Sequence, residues 1–128
     1  MMNYFLVALG GALGSIVRYW CSGLVARHWG ETFPWGTLVV NVTGSILIGF
    51  FASLSAPEGR FLLPPAYRQL LMAGFCGGYT TFSSFSLQTL NLARDGEWLY
   101  AGLNILGSVA LCLVFVWIGH LAASHLNR

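Results

Sequence analysis

Residues 74–86 have the sequence GFCGGYTTFSSFS and lie inside a long apolar segment. Two adjacent glycines, followed by a Thr-Thr pair and a run of serines, are poor helix formers. We therefore predict that a helix through this segment breaks between about Gly77 and Ser83.

The segment around this motif is one of four long stretches that contain no charged residue: 1–17, 32–57, 69–93 and 98–127. Of the 128 residues, 56% are hydrophobic and only 8% are charged, whereas soluble domains carry about 25% charged residues. A helix of about 20 apolar residues crosses ~30 Å of hydrocarbon. This composition excludes a soluble enzyme, a nucleic-acid-binding protein and a disordered tail.

We predict an all-α integral membrane protein that forms a single transmembrane domain over residues 1–128 in the lipid bilayer. Its four spans are expected at about residues 4–25, 35–55, 66–92 and 98–123, with the third helix broken near its middle.

The arginines give almost no preference for one orientation, although Lys and Arg in loops normally set it. With four spans, one side carries Arg60, Arg68 and Arg128, and the other carries Arg27 and Arg94 with Arg18 within reach. Either the counts of a small chain are noisy, or the chain inserts in both orientations. The second alternative permits an antiparallel homodimer.

Two pairs of glycines have the small-xxx-small spacing that lets helix backbones approach closely, Gly10/Gly14 and Gly74/Gly78. Such pairs join either two copies of a chain or two helices of one chain. Both alternatives are open for each pair.

A helix break at membrane depth is tolerated only where the freed backbone groups are buried in protein or line a hydrated cavity. Carbonyl groups freed at residues 77–81 would form a cluster of oxygen ligands suited to a hard cation. The alternative is a packing kink that Ser and Thr hydroxyl groups satisfy.

Phe82 and Phe85 follow the break at a spacing that puts them on one helical face. Such a pair usually packs in a core or faces lipid. However, an aromatic ring has a positive edge, and Ser83 and Ser84 offer hydroxyl groups beside the rings. Together these groups could coordinate a small anion weakly enough to release it, as conduction requires.

Two polar residues in the other spans have open roles. Asn41 either makes an interhelical hydrogen bond or presents its NH₂ group to a pore as an anion ligand. Arg18 either extends to the membrane surface or gives positive charge to an anion vestibule. We predict a structural role for His120 and assign none to Ser108.

The charge-free stretches contain no Asp or Glu, so a carboxylate proton relay is not available within them. We find no catalytic pair, phosphate-binding loop or metal-binding motif in the sequence. The chain is therefore predicted not to be an enzyme, and passive permeation of an anion is the function that these residues allow.

Three motifs together closely resemble those of the Fluc/CrcB fluoride channels: residues 10–19 (GGALGSIVRY), residues 36–41 (GTLVVN) and residues 74–86. The likeness covers the whole chain in length, number of spans and motif order. It implies an antiparallel dual-topology homodimer with two fluoride pores, each built from both subunits. It also implies a sodium ion at the dimer centre that is not transported.

The resemblance also implies roles for individual residues. The backbone carbonyls of Gly77 and Thr80 match the sodium ligands. The positions that match the pore are Asn41, Phe82, Phe85, Ser83 and Ser84, and Arg18 matches the basic residue near the vestibule. The chain departs from many members at Gln88, where they carry Glu, and at Cys112, where they carry Thr.

The function implied is passive export of fluoride across a bacterial inner membrane, with no nucleic acid and no other protein as partner. A small dual-topology antiporter is a rival, but it would need an intramembrane carboxylate. A non-transporting subunit of a larger assembly is a second rival, and such a protein alone would conduct nothing.

Overall fold

The computed structural model describes residues 1–57, 59 and 61–128, and every regular element within these ranges is helical. Helix α1 covers Met2–Trp29, α2 covers Trp35–Leu54 and α6 covers Trp98–Leu126. Between α2 and α6 lie α3 (Pro65–Gln69), a π-helix (Leu70–Cys76), α4 (Gly77–Tyr79) and α5 (Phe82–Arg94). Arg60, which was counted in the arginine balance, lies outside the described residues.

Among the described residues, three helices are long and apolar enough to cross a membrane: α1, α2 and α6. They match three of the four predicted spans, and α1 and α6 each continue a few residues beyond the expected end. The segment predicted as the third span is instead a series of short helical pieces between Pro65 and Arg94. The sequence predicted its interruption but not the π-helix that precedes it.

Helix α1 packs against the π-helix and α4 through the two glycine pairs. A side-chain carbon at Gly10 would lie 2.9 Å from the Phe75 amide nitrogen, and one at Gly78 would lie 2.5 Å from the Gly11 carbonyl oxygen. Only a residue without a side chain fits such backbone contacts. The two small-residue pairs therefore join elements of one chain.

Helices α2 and α6 form a second close pair. A side-chain carbon at Gly119 would lie 3.0 Å from the Phe50 amide nitrogen. Near the end of this pair, Ser53 Oγ and His120 Nδ1 share a hydrogen bond of 2.6 Å. This contact agrees with a structural role for His120.

Candidate ion site at the break between α4 and α5

The helix is interrupted at two residues. Helix α4 ends at Tyr79, and Thr80 and Thr81 have extended backbone angles, with φ of −84° and −151°. Helix α5 begins at Phe82, and the Thr81 side chain caps it by accepting a hydrogen bond from the Ser84 amide at 3.1 Å. The prediction of a break between about Gly77 and Ser83 is confirmed.

Asn41 of α2 binds the break on its downstream side. The Thr81 amide donates to Asn41 Oδ1 at 2.7 Å, and Asn41 Nδ2 donates to the Thr81 carbonyl at 3.1 Å. The side-chain amide thus satisfies both polar groups of one residue that no longer belongs to a helix. Of the two alternatives for Asn41, the interhelical hydrogen bond is observed. The amide carries a second N–H, so this bond does not exclude a ligand role.

The carbonyls of residues 77–80 lose their normal helical partners at the break, and two of them are of particular interest. In a continuous helix the Gly77 carbonyl would accept from the Thr81 amide, and the Thr80 carbonyl from the Ser84 amide. The Thr81 amide binds Asn41 instead, and the Ser84 amide binds the Thr81 hydroxyl. These are the two carbonyls that the resemblance implies as sodium ligands.

Two of the carbonyls at residues 77–81 already have side-chain partners, so the predicted cluster is smaller than expected. Arg18 Nε donates to the Gly78 carbonyl at 3.1 Å, and Asn41 holds the Thr81 carbonyl. The guanidinium group of Arg18 also lies at the C-terminal end of α4, where the helix dipole favours positive charge. Arg18 is thus bound to the break.

A cavity of about 300 Å³ opens beside the break, between α2, α5 and α6. Its lining includes five residues with predicted roles, and these are Asn41, Gly77, Thr80, Phe82 and Phe85. Ser108 and Cys112 also line it. Ser108 Oγ donates to Asn104 Oδ1 at 3.2 Å, which gives Ser108 a partner within α6.

Phe82 and Phe85 lie side by side, with ring centroids 5.3 Å apart and planes tilted by 45°. Phe82 is 76% exposed, whereas Phe85 is 8% exposed. One ring therefore packs inside the chain, and the other lies on its surface at the mouth of the break.

The serines that follow Phe82 lie apart from one another. Ser83 Oγ is 3.3 Å from the Thr81 hydroxyl. Ser84 lines a second, larger cavity of about 950 Å³ together with Arg18 and Gln88. Gln88 Oε1 is buried there without a hydrogen-bond partner among the described residues.

Asn104 in α6 is a polar residue that the sequence analysis did not single out. It is 2% exposed, and its Nδ2 donates to Thr89 Oγ1 at 2.9 Å, which connects α6 to α5. Its position in an otherwise apolar span, like that of Asn41, was the signal that could have identified it.

The chain is similar to known proteins over nearly its whole length. Residues 5–120 match the family described as CrcB-like protein, Camphor Resistance (CrcB). A fluoride-specific ion channel FluC of Opitutus terrae is 65% identical over 127 residues, which cover 99% of this chain and 96% of the relative. Another, of Paramagnetospirillum magneticum, is 59% identical over the full length of both chains.

A third fluoride-specific ion channel FluC, of Rhodospirillum rubrum, is 58% identical over 99% of this chain and 98% of its own. These relatives are ion channels, so the prediction that the chain is not an enzyme is confirmed. The matches extend over nearly the whole sequence. The chain belongs to the CrcB family.

Proposed function

We propose that the protein is a fluoride-selective channel that lets fluoride leave the cell passively and so lowers its cytoplasmic concentration. The observation that carries the proposal is the break at Thr80 and Thr81, which is held by Asn41 and followed by the Phe82–Phe85 pair. Family membership supports it, because relatives that match over nearly the whole chain are fluoride channels by name.

The fluoride path in this proposal contains no formal charge. The edges of Phe82 and Phe85, the second N–H of Asn41 and the hydroxyls of Ser83 and Ser84 replace part of the water around the ion. Each of these groups is a weak ligand. The ion can therefore enter the path without being held there.

Arg18 supplies positive charge at the vestibule in this proposal. Its Nε is bound to the Gly78 carbonyl, but a guanidinium group has five N–H donors. Arg18 also lines the larger cavity, so its remaining N–H groups are placed to attract an anion there. The same residue therefore supports the break and raises the local concentration of anions.

The Gly77 and Thr80 carbonyls fit a hard cation, because hard cations prefer oxygen ligands and both groups have lost their helical partners. Both residues line the cavity beside the break. We propose that they hold a sodium ion that is not transported. Two carbonyls from one chain and two from a second would give four oxygen ligands, and the ion would supply fixed positive charge at the centre of the assembly.

The assembly that we propose is an antiparallel homodimer. The exposed Phe82 ring supports it, since a large aromatic side chain beside a helix break is left uncovered by the single chain. The near balance of arginines on the two sides supports insertion in both orientations. Each pore would then use residues of both subunits.

Export needs no energy source in a cell with an inside-negative membrane potential. In acidic surroundings fluoride is protonated to HF, and HF enters the cell. It ionises in the cytoplasm and is trapped there as the anion. A potential of 100 mV drives one charge outward with about 2.3 kcal/mol. We propose the inner membrane of a bacterium as the location.

The test is fluoride efflux from liposomes that contain only this protein, measured with a fluoride electrode and compared with chloride efflux. We expect fluoride to leave rapidly and chloride to remain. Equal efflux of both ions would contradict a selective channel. Absence of efflux would favour a non-transporting subunit, and efflux that requires a proton gradient would favour the antiporter.

A further inference from the structure

The upstream side of the break has its own attachment to α2. Tyr79 is the last residue of α4 and is only 6% exposed. Its ring stacks on Phe75, with centroids 5.9 Å apart and planes within 9° of parallel. Its hydroxyl lies 2.8 Å from Thr43 Oγ1.

The direction of this hydrogen bond follows from the other contacts of Thr43. Thr43 Oγ1 donates its single hydrogen to the Val39 carbonyl at 2.8 Å, and a carbonyl can only accept. We assign the Tyr79 hydroxyl as the donor to Thr43, because with this assignment both hydrogen bonds of the threonine oxygen are made.

Gly44 makes the Tyr79–Thr43 contact possible. A side-chain carbon at Gly44 would lie 3.1 Å and 3.5 Å from two carbons of the Tyr79 ring, and it would collide with the Thr80 methyl group. Any larger residue would push both away from α2. The glycine thus lets the tyrosine ring pass beside the helix and reach Thr43.

Helix α2 consequently holds the break on both sides. Thr43 binds Tyr79 immediately before it, and Asn41 binds Thr81 at its end. Thr80 lies between these attachments, and its own hydroxyl donates to the Cys76 carbonyl at 2.9 Å. Asn41 holds the peptide that carries the Thr80 carbonyl through the Thr81 amide, and the Tyr79–Thr43 bond fixes the residue that precedes Thr80. Release of the upstream attachment would leave this peptide fixed at one end only.

We propose that Thr43 and Tyr79 are positioning residues for the cation site, which keep the Thr80 carbonyl directed at the ion. This inference rests on the proposed function, since it takes Thr80 as a sodium ligand. Neither side chain needs to touch sodium or fluoride.

The test compares Tyr79→Phe, Thr43→Val and Thr43→Ser with the unaltered protein, each purified in detergent. The first readout is the rise in thermal midpoint when sodium replaces N-methylglucamine, and the second is the sodium concentration for half-maximal fluoride efflux from liposomes. Tyr79→Phe and Thr43→Val should raise the half-maximal concentration about fivefold to tenfold, as expected for one lost buried hydrogen bond. Thr43→Ser keeps the oxygen and should restore both readouts.

Tyr100→Phe is the matched control. This tyrosine belongs to α6, outside the interrupted segment, and its ring contacts Phe33. It should change neither sodium readout. The double variant Tyr79→Phe/Thr43→Val should be no worse than either single variant, since both remove the same bond. If Tyr79→Phe is not recovered as folded protein, Thr43→Val tests the bond from its other partner.

An unchanged sodium dependence in both Tyr79→Phe and Thr43→Val would overturn the inference. An equal loss of thermal midpoint with and without sodium would also overturn it, because that result indicates a structural role alone. The proposed function fails separately, if the unaltered protein shows no fluoride efflux. The sodium effect on thermal stability can then still be compared among the variants.

Discussion

The two sides of the break are held in different ways. Upstream, the π-helix and α4 lie against α1 through close backbone contacts at glycines, to which the side-chain hydrogen bonds of Arg18 and Tyr79 are added. Downstream, α5 buries only Phe85 and is connected to its neighbours by side-chain hydrogen bonds from Asn41 and Asn104. Its Phe82 and Leu87 are 76% and 58% exposed.

This difference indicates that the two halves of the interrupted segment have different roles. Backbone contact at glycines leaves no room for adjustment, so the upstream half is a rigid support. The downstream half has large apolar side chains that the single chain does not cover, which a second copy or lipid can contact. The fluoride path in this account therefore depends mainly on α5, and folding depends on the glycine contacts with α1.

The largest effect is expected for Gly14→Val in the upstream contact. The added side chain would collide with the Phe75 carbonyl and would place a carbon 2.9 Å from the Tyr79 amide nitrogen. Overpacking typically costs about 1–3 kcal/mol, and backbone neighbours cannot rotate away. We expect little monodisperse protein on a size-exclusion column. Gly23→Val is the control, since no atom lies within 4 Å of that position; equal yields of the two variants would contradict the rigid support.

Phe82→Ile tests the downstream half. The ring is exposed, so folding and elution volume should not change. Fluoride efflux should fall about tenfold or more, which corresponds to ~1.4 kcal/mol in the barrier. Leu87→Ile introduces the same β-branched residue at another exposed position of α5. Unchanged efflux in Phe82→Ile would remove this residue from the pore.

Arg18→Met examines the hydrogen bond that joins α1 to the break. Loss of the bond from Nε to the Gly78 carbonyl should cost ~1 kcal/mol, since the side chain is only partly buried. We expect a lower thermal midpoint than for Arg27→Met, which removes an exposed arginine from the same helix. If both variants unfold at the same temperature, the contact with Gly78 contributes nothing to stability.

Thr80→Ser should have the smallest effect. Serine keeps a hydroxyl that can donate to the Cys76 carbonyl, and only the methyl group beside Gly44 is lost. Loss of one buried methyl costs about 1 kcal/mol. Sodium-dependent stabilisation should persist, because the proposed ligand is the backbone carbonyl. Complete loss of the sodium effect would count against that ligand.

The position of the break was predictable because it depends on local composition. Glycine and hydroxyl residues disfavour a helix wherever they occur, and the interruption lies within the predicted interval. The shared face of Phe82 and Phe85 also follows from helical spacing alone. Close packing of glycines was predictable, but whether they join two helices of one chain or two chains was not.

The partners of polar side chains could not be derived from the sequence. Asn41 and Arg18 each had two physically acceptable roles, and contacts 40 and 60 residues away in sequence decide between them. The π-helix at Leu70–Cys76 has no distinct composition. Asn104 was missed because its partner Thr89 lies on another helix, 15 residues earlier in the sequence.

A high-resolution structure of the purified protein in sodium chloride and fluoride is the most direct test of the central claim, that the exposed face at the break is one half of an ion path. We expect two copies with the third span broken at Thr80 and Thr81, an ion held by the Gly77 and Thr80 carbonyls of both, and the edge of Phe82 turned toward the path. A continuous third helix, or a Phe82 ring directed at lipid, would contradict it.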